Sequence, residues 1–98
     1  MAEIELTRRA LVDLHRLRDF LAGESPRAAG RAVTRILDGM RRLEKFPESA
    51  PRLEGTSVRE LFLRFGHAGY VVRYLVDGER VIVTRIFHAR ENRFGERS

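Results

Sequence analysis

Gly69-Tyr70-Val71-Val72-Arg73-Tyr74-Leu75-Val76-Asp77-Gly78-Glu79-Arg80-Val81-Ile82-Val83-Thr84-Arg85-Ile86-Phe87-His88 is the stretch on which the fold turns. Both flanks are dense in β-branched and aromatic residues, which suit a pleated surface. Asp77-Gly78 between them has the chemistry of a two-residue hairpin turn, because both positions tolerate positive φ. Strands are therefore expected over 70–76 and 81–88. A turn closed at Asp77-Gly78 sets Val76 opposite Glu79, Tyr74 opposite Val81, Val72 opposite Val83 and Tyr70 opposite Arg85. Tyr70, Val72, Tyr74, Val76, Val81, Val83 and Phe87 then share the face expected to meet helices. Val71, Arg73, Leu75, Ile82, Thr84, Ile86 and His88 share the other. That second face is too apolar for bare solvated surface and too polar for a core, a mixture that suits a partner interface.

Upstream of the hairpin, residues 58–65 alternate, with Leu61, Leu63 and Phe65 on one face, and Gly66-His67-Ala68-Gly69 makes a turn. Residues 47–57 hold Pro47, Pro51 and Gly55 and read as a loop. Before the loop the period becomes helical. Ala29, Val33, Ile36, Met40 and Leu43 form a stripe, with Leu37 beside it. Ser25 caps this helix, Pro26 fits its first position, and Pro47 requires it to end near Phe46. Gly30 and Gly39 weaken it, and are expected to mark close packing against an earlier helix. That earlier helix covers 8–22, is capped by Thr7 and is closed by Gly23. Its stripe is Ala10, Leu14, Leu17 and Leu21, widened by Leu11 and Phe20. Glu3-Ile4-Glu5-Leu6 alternates as a short strand whose place in the sheet stays open. The order is β-α-α-β-β-β. It predicts an α+β fold with a helical hairpin packed on one face of an antiparallel sheet, as a single domain over 1–98.

Composition narrows the function. Of 98 residues, 43% are hydrophobic and 34% charged, which supports a packed core rather than disorder. With no cysteine there is neither a disulfide nor a thiolate ligand or nucleophile, in keeping with a reducing cytoplasm. The first nine residues lack the apolar stretch of a signal peptide, and no apolar run is long enough to cross a membrane. His15, His67 and His88 have no metal-ligand spacing, so neither metal nor cofactor is expected. The formal net charge of +5 fits a nucleic acid, an anionic surface or an acidic protein as partner. Lys45 is the one lysine among 19 basic residues, and arginine keeps its charge when half-buried.

Several pieces in order resemble the RelE/ParE superfamily of toxin–antitoxin toxins. They are Ala10-x-x-Asp13-Leu14, Leu43-x-x-Phe46-Pro47, Val58-Arg59-Glu60-Leu61, Gly69-Tyr70-Val71-Val72-Arg73-Tyr74, Val81-Ile82-Val83-Thr84-Arg85-Ile86 and His88-Ala89-Arg90. The last looks like the ParE branch. The resemblance implies a small toxin neutralised by a cognate antitoxin that wraps it. ParE-like members are implied to poison DNA gyrase. RelE-like members are implied to cut mRNA on the ribosome. A third reading is a non-toxic interaction module of the same fold.

Cutting RNA through its 2′-hydroxyl needs a proton acceptor, positive charge on the phosphate and a donor to the leaving oxygen. RelE-like nucleases are similar in placing a basic residue directly after the Gly-Tyr pair and a tyrosine or comparable group in the tail. Val71 stands at the first position, and the tail after Arg90 holds no tyrosine. A nuclease would have to rely on His88 and Arg90; the plainer role for His88 is a strand-end hydrogen bond. For the antitoxin or target, the expected contact residues are Arg59, Val71, Arg73, Ile82, Ile86, Arg90 and Arg93. Arg59 fits an internal ion pair equally well. Arg27, Arg31, Arg35 and Arg42 make either an anion-binding ridge or a solvated helix face.

Overall fold

A computed structural model of the chain describes residues 1–90. The elements follow the expected order: β1 (Glu3–Leu6), α1 (Arg8–Glu24), α2 (Pro26–Arg42), β2 (Arg59–Phe65), β3 (Ala68–Asp77) and β4 (Arg80–His88). The sheet order is β1-β4-β3-β2. β2, β3 and β4 are antiparallel, and β1 joins the edge of β4 in parallel, so the sheet is mixed. The helical hairpin covers one face. Ala10, Leu17, Ala32, Ile36, Met40 and Leu43 pack there on Leu63, Tyr70, Val72, Tyr74, Val81, Val83 and Ile86.

Gly23 does not stop α1. The helix runs on to Glu24, and Ser25 serves both helices. Its backbone N–H bonds Leu21 O at 2.8 Å, closing α1, while its Oγ accepts from Ala28 N–H at 3.2 Å, opening α2. Thr7 joins three elements. Its Oγ1 accepts from Ala10 N–H and donates to Thr84 O, and its own N–H bonds Val83 O. Leu11 and Phe20 stay exposed, so the α1 stripe is narrower than expected. Gly39 does mark close packing, but against β2: an added Cβ would strike the Leu63 side chain, while the space beside Gly30 is open.

Both hairpin turns are two residues long with glycine leading, at Gly66-His67 and Gly78-Glu79. Gly66 at φ 64° and Gly78 at φ 62° take the left-handed conformation that glycine adopts without a Cβ clash. The second turn thus lies one residue later than expected. Asp77 opposes Arg80, Val76 opposes Val81 and Tyr74 opposes Val83. Face parity survives this shift. It is broken at Thr84, where β4 carries one extra residue, so that Arg73 opposes Arg85 and Val72 opposes Ile86. Past the bulge the faces exchange. Ile86, expected on the partner face, is 0% exposed in the core. Phe87, expected under the helices, pairs with Val71 on the opposite face, and His88 pairs with Tyr70 on the helical side.

Asp13 explains where the bulge falls. β1 pairs with β4 only as far as Val83, and beyond it the edge of β4 lacks a strand partner. Asp13 of α1, 3% exposed, takes that place. Its Oδ2 accepts from Ile86 N–H at 2.9 Å and from Arg85 Nε at 2.8 Å. A carboxylate can be buried at this depth because it is both paired and hydrogen-bonded.

Candidate functional site: two faces at the end of strand β4

The sheet face turned away from the helices is built on alternate residues. Glu60 and Phe62 of β2, Val71, Arg73 and Leu75 of β3, and Ile82, Thr84 and Phe87 of β4 lie on it. Phe62 is 52% exposed, and Val71, Leu75 and Ile82 are half-buried. Arg73 is held in place rather than waving in solvent. Its Nε donates to Glu60 Oε2 at 2.6 Å, and its guanidinium lies 5.0 Å from the centre of the Phe87 ring. Charge-assisted pairing and the ring quadrupole both favour that pose. Beside it the loop residues Pro51, Arg52 and Leu53 wall a cavity of about 470 Å³ that reaches Phe62, Val71, Phe87 and Ala89.

A second cavity, of about 510 Å³, opens on the helical side of the same strand end. Its floor is Leu17, Leu21, Phe65 and Tyr70, and its rim is Arg16, Phe20, His88 and Arg90. Phe20 is 66% exposed at the rim. His88 meets the Tyr70 ring edge-on, 5.4 Å between centres, and its Nδ1 accepts from the Arg90 backbone N–H at 3.1 Å.

The expected contact residues therefore divide. Val71, Arg73 and Ile82 share the outer face. Ile86 cannot touch a partner from the core, because the Thr84 bulge turned it inward. His88 and Arg90 belong to the second cavity. Arg93 lies outside the described residues. Arg59 is half-buried. Its Nη1 donates to Glu48 O at 3.2 Å and Ala50 O at 2.8 Å, so it fastens the loop before β2 to the sheet. Tyr74 fastens the same loop, its hydroxyl accepting from Ala50 N–H at 3.4 Å. Burial raises the Tyr74 pKa, opposed by the Ala50 hydrogen bond and by the Arg59 charge. Of the arginine row on α2, Arg35 turns aside to donate to Arg64 O at 3.0 Å, which breaks up an even anion-binding ridge.

Sequence reasoning missed Phe62, Phe87 and Glu60 on the outer face, and Asp13, Arg16 and Phe20 on α1. Asp13 had a signal. It is a carboxylate three residues after Ala10, inside an apolar stripe. Among the described residues no group of three His, Asp or Glu side chains could hold a metal ion, and no helix is long and apolar enough to cross a membrane.

Comparison with known proteins adds four likenesses. The family model described as ParE toxin of type II toxin-antitoxin system, parDE, matches residues 4–93. Toxin RelE3 of Caulobacter vibrioides is 38% identical over 93 residues, which is 95% of this chain and 100% of the relative. Toxin RelE1 of the same organism is 39% identical over 85 residues, 87% of this chain and 90% of the relative. A solved structure described as the chromosomal ParDE TA system from P. aeruginosa superposes with a TM-score of 0.77 at 26% identity, covering 92% of this chain and 98% of that chain.

Proposed function

The chain belongs to the ParE toxin family of type II toxin–antitoxin systems, and we propose that it acts, when free of a cognate antitoxin, by binding and poisoning DNA gyrase. In this reading residues 1–98 form one cytoplasmic toxin domain, and the toxin works by occupying its target rather than by its own catalysis.

The observation that carries the reading is the chemistry of the outer sheet face. The position after Gly69-Tyr70 is Val71, and its neighbours across the strands are Phe62 and Phe87. None of the three can take a proton or hold a phosphate. Of the strand cations here, Arg73 is paired with Glu60 and stacked on Phe87, and Arg85, opposite it across the strands, is paired with Asp13. Such a surface is suited to burying apolar area against a protein. An antitoxin laid over Val71, Leu75 and Ile82 would hide the same surface that a target needs, which accounts for neutralisation by simple occlusion.

A second reading, as a ribosome-dependent mRNA endonuclease, draws on one feature. His88, Arg90 and Arg16 line one cavity, which places an imidazole beside two guanidinium groups. The two readings separate on translating ribosomes. Purified toxin is expected to leave mRNA intact there, while its expression arrests growth. Codon-phased cuts that vanish in Arg90→Ala would replace the gyrase reading with the nuclease. Unimpaired growth on expression would reduce the chain to a non-toxic interaction module.

A further inference from the structure

The cavity on the helical side is unused by the function proposed above, yet it is joined to the outer face. The two flank one strand end. Phe87 and Ala89 line the outer cavity, and the alternate residues His88 and Arg90 line the other. An extended segment lying across the outer face and over the end of β4 therefore arrives at the mouth of the second cavity.

We infer that this cavity is an anchor pocket for one apolar side chain of an acidic antitoxin segment, with carboxylates of that segment meeting Arg16 and Arg90. The inference rests on the antitoxin reading and names where the antitoxin is gripped. Three observations support it. The volume of about 510 Å³ lies in the range of built ligand pockets, roughly 300–1,000 Å³. The floor of Leu17, Leu21 and Phe65 is apolar, while the guanidinium groups stand at the rim, which matches an apolar side chain flanked by negative charge. Phe20 is a large aromatic left 66% exposed beside the opening. An aromatic rim over an apolar pocket is the arrangement in which interface hot spots concentrate, because the inserted side chain and the rim both lose water. The chain's net charge of +5 favours an acidic partner in encounter as well.

The test measures association and dissociation of the full chain with the antitoxin encoded beside its gene. Phe20→Ala and Arg90→Glu are compared with Arg27→Glu, an exposed control on α2. All three positions are exposed, and each variant is first checked for an unchanged melting transition. Phe20→Ala is expected to release the antitoxin about tenfold faster or more, with little change in association. Arg90→Glu is expected to slow association several-fold, and more so at low salt. Arg27→Glu should show less than half of the Arg90→Glu effect. Wild-type kinetics in both Phe20→Ala and Arg90→Glu would overturn the anchor pocket while leaving the toxin–antitoxin reading intact. No antitoxin binding by the wild-type chain would overturn both. Self-association of the chain alone that is lost in Phe20→Ala would assign the cavity to a second copy. Binding of a single-stranded oligonucleotide that is lost in the same variant would assign it to nucleic acid. Either result overturns the inference.

Discussion

Tyr74 shows how one residue ties the sheet to the loop beside it. It is fully buried between β3 and the core, and its hydroxyl receives the Ala50 N–H from the loop before β2. Burial raises its pKa above the ordinary phenol value of about 10. The sign of the linkage follows. An acid whose folded pKa is raised is held neutral in the fold, so its contribution is complete below the unfolded pKa. It is lost as pH rises through the folded value. Tyr70→Phe leaves Tyr74 as the one tyrosine, since the chain has two. Alkaline titration of that variant should show phenolate absorbance appearing above pH ~10, together with loss of the folded circular dichroism signal. Phenolate formed at the ordinary pH with the fold intact would mean that Tyr74 is in contact with water. The roles of single residues were partly legible in the sequence. That Val71 can do no acid–base chemistry follows from its residue type alone. Arg59 was not resolved, because its acceptors are carbonyls of a loop whose path no side-chain pattern records.

At the scale of elements, strand and helix types were legible because each rests on local chemistry: period-two alternation, Ser25-Pro26, and glycine at both turns. The Thr84 bulge was not. It is set by the length of β1 and by a carboxylate 73 residues away bonding Ile86 N–H, and no short stretch of sequence holds that information. One extra residue in β4 is enough to send Ile86 inward and Phe87 outward. The pairing was therefore misplaced by the later turn, while the face assignment of β4 was right between the turn and the bulge and wrong beyond it. Helix α2 provides a contrast between two glycines with opposite expected effects. Gly30 faces open space, so Gly30→Ala should stabilise by about 0.5–1 kcal/mol through helix propensity. Gly39→Ala gains the same propensity but drives a methyl into Leu63, and overpacking costs about 1–3 kcal/mol. Thermal melts should move up for the first and down for the second. Equal upward shifts would show that α2 does not press on β2 as described.

The whole molecule presents two unlike surfaces around one strand end, an apolar sheet face crossed by the Arg73–Glu60 pair and a cavity with a basic rim. Its fold and family were legible from the ordered set of motifs. The second cavity was not, because it forms where α1, β3 and the end of β4 converge. Occlusion of the outer face by an antitoxin predicts that Ile82→Glu, a half-buried position, releases the antitoxin much faster while hardly changing encounter. Dissociation kinetics on the folded variant check this, and unchanged release would move the antitoxin to the helical side. The most direct measurement of the central claim is DNA supercoiling by purified gyrase, titrated with the toxin alone and then with the antitoxin added. Inhibition is expected near one toxin per gyrase site, reversed by the antitoxin. Full supercoiling at a large excess of folded toxin would contradict it.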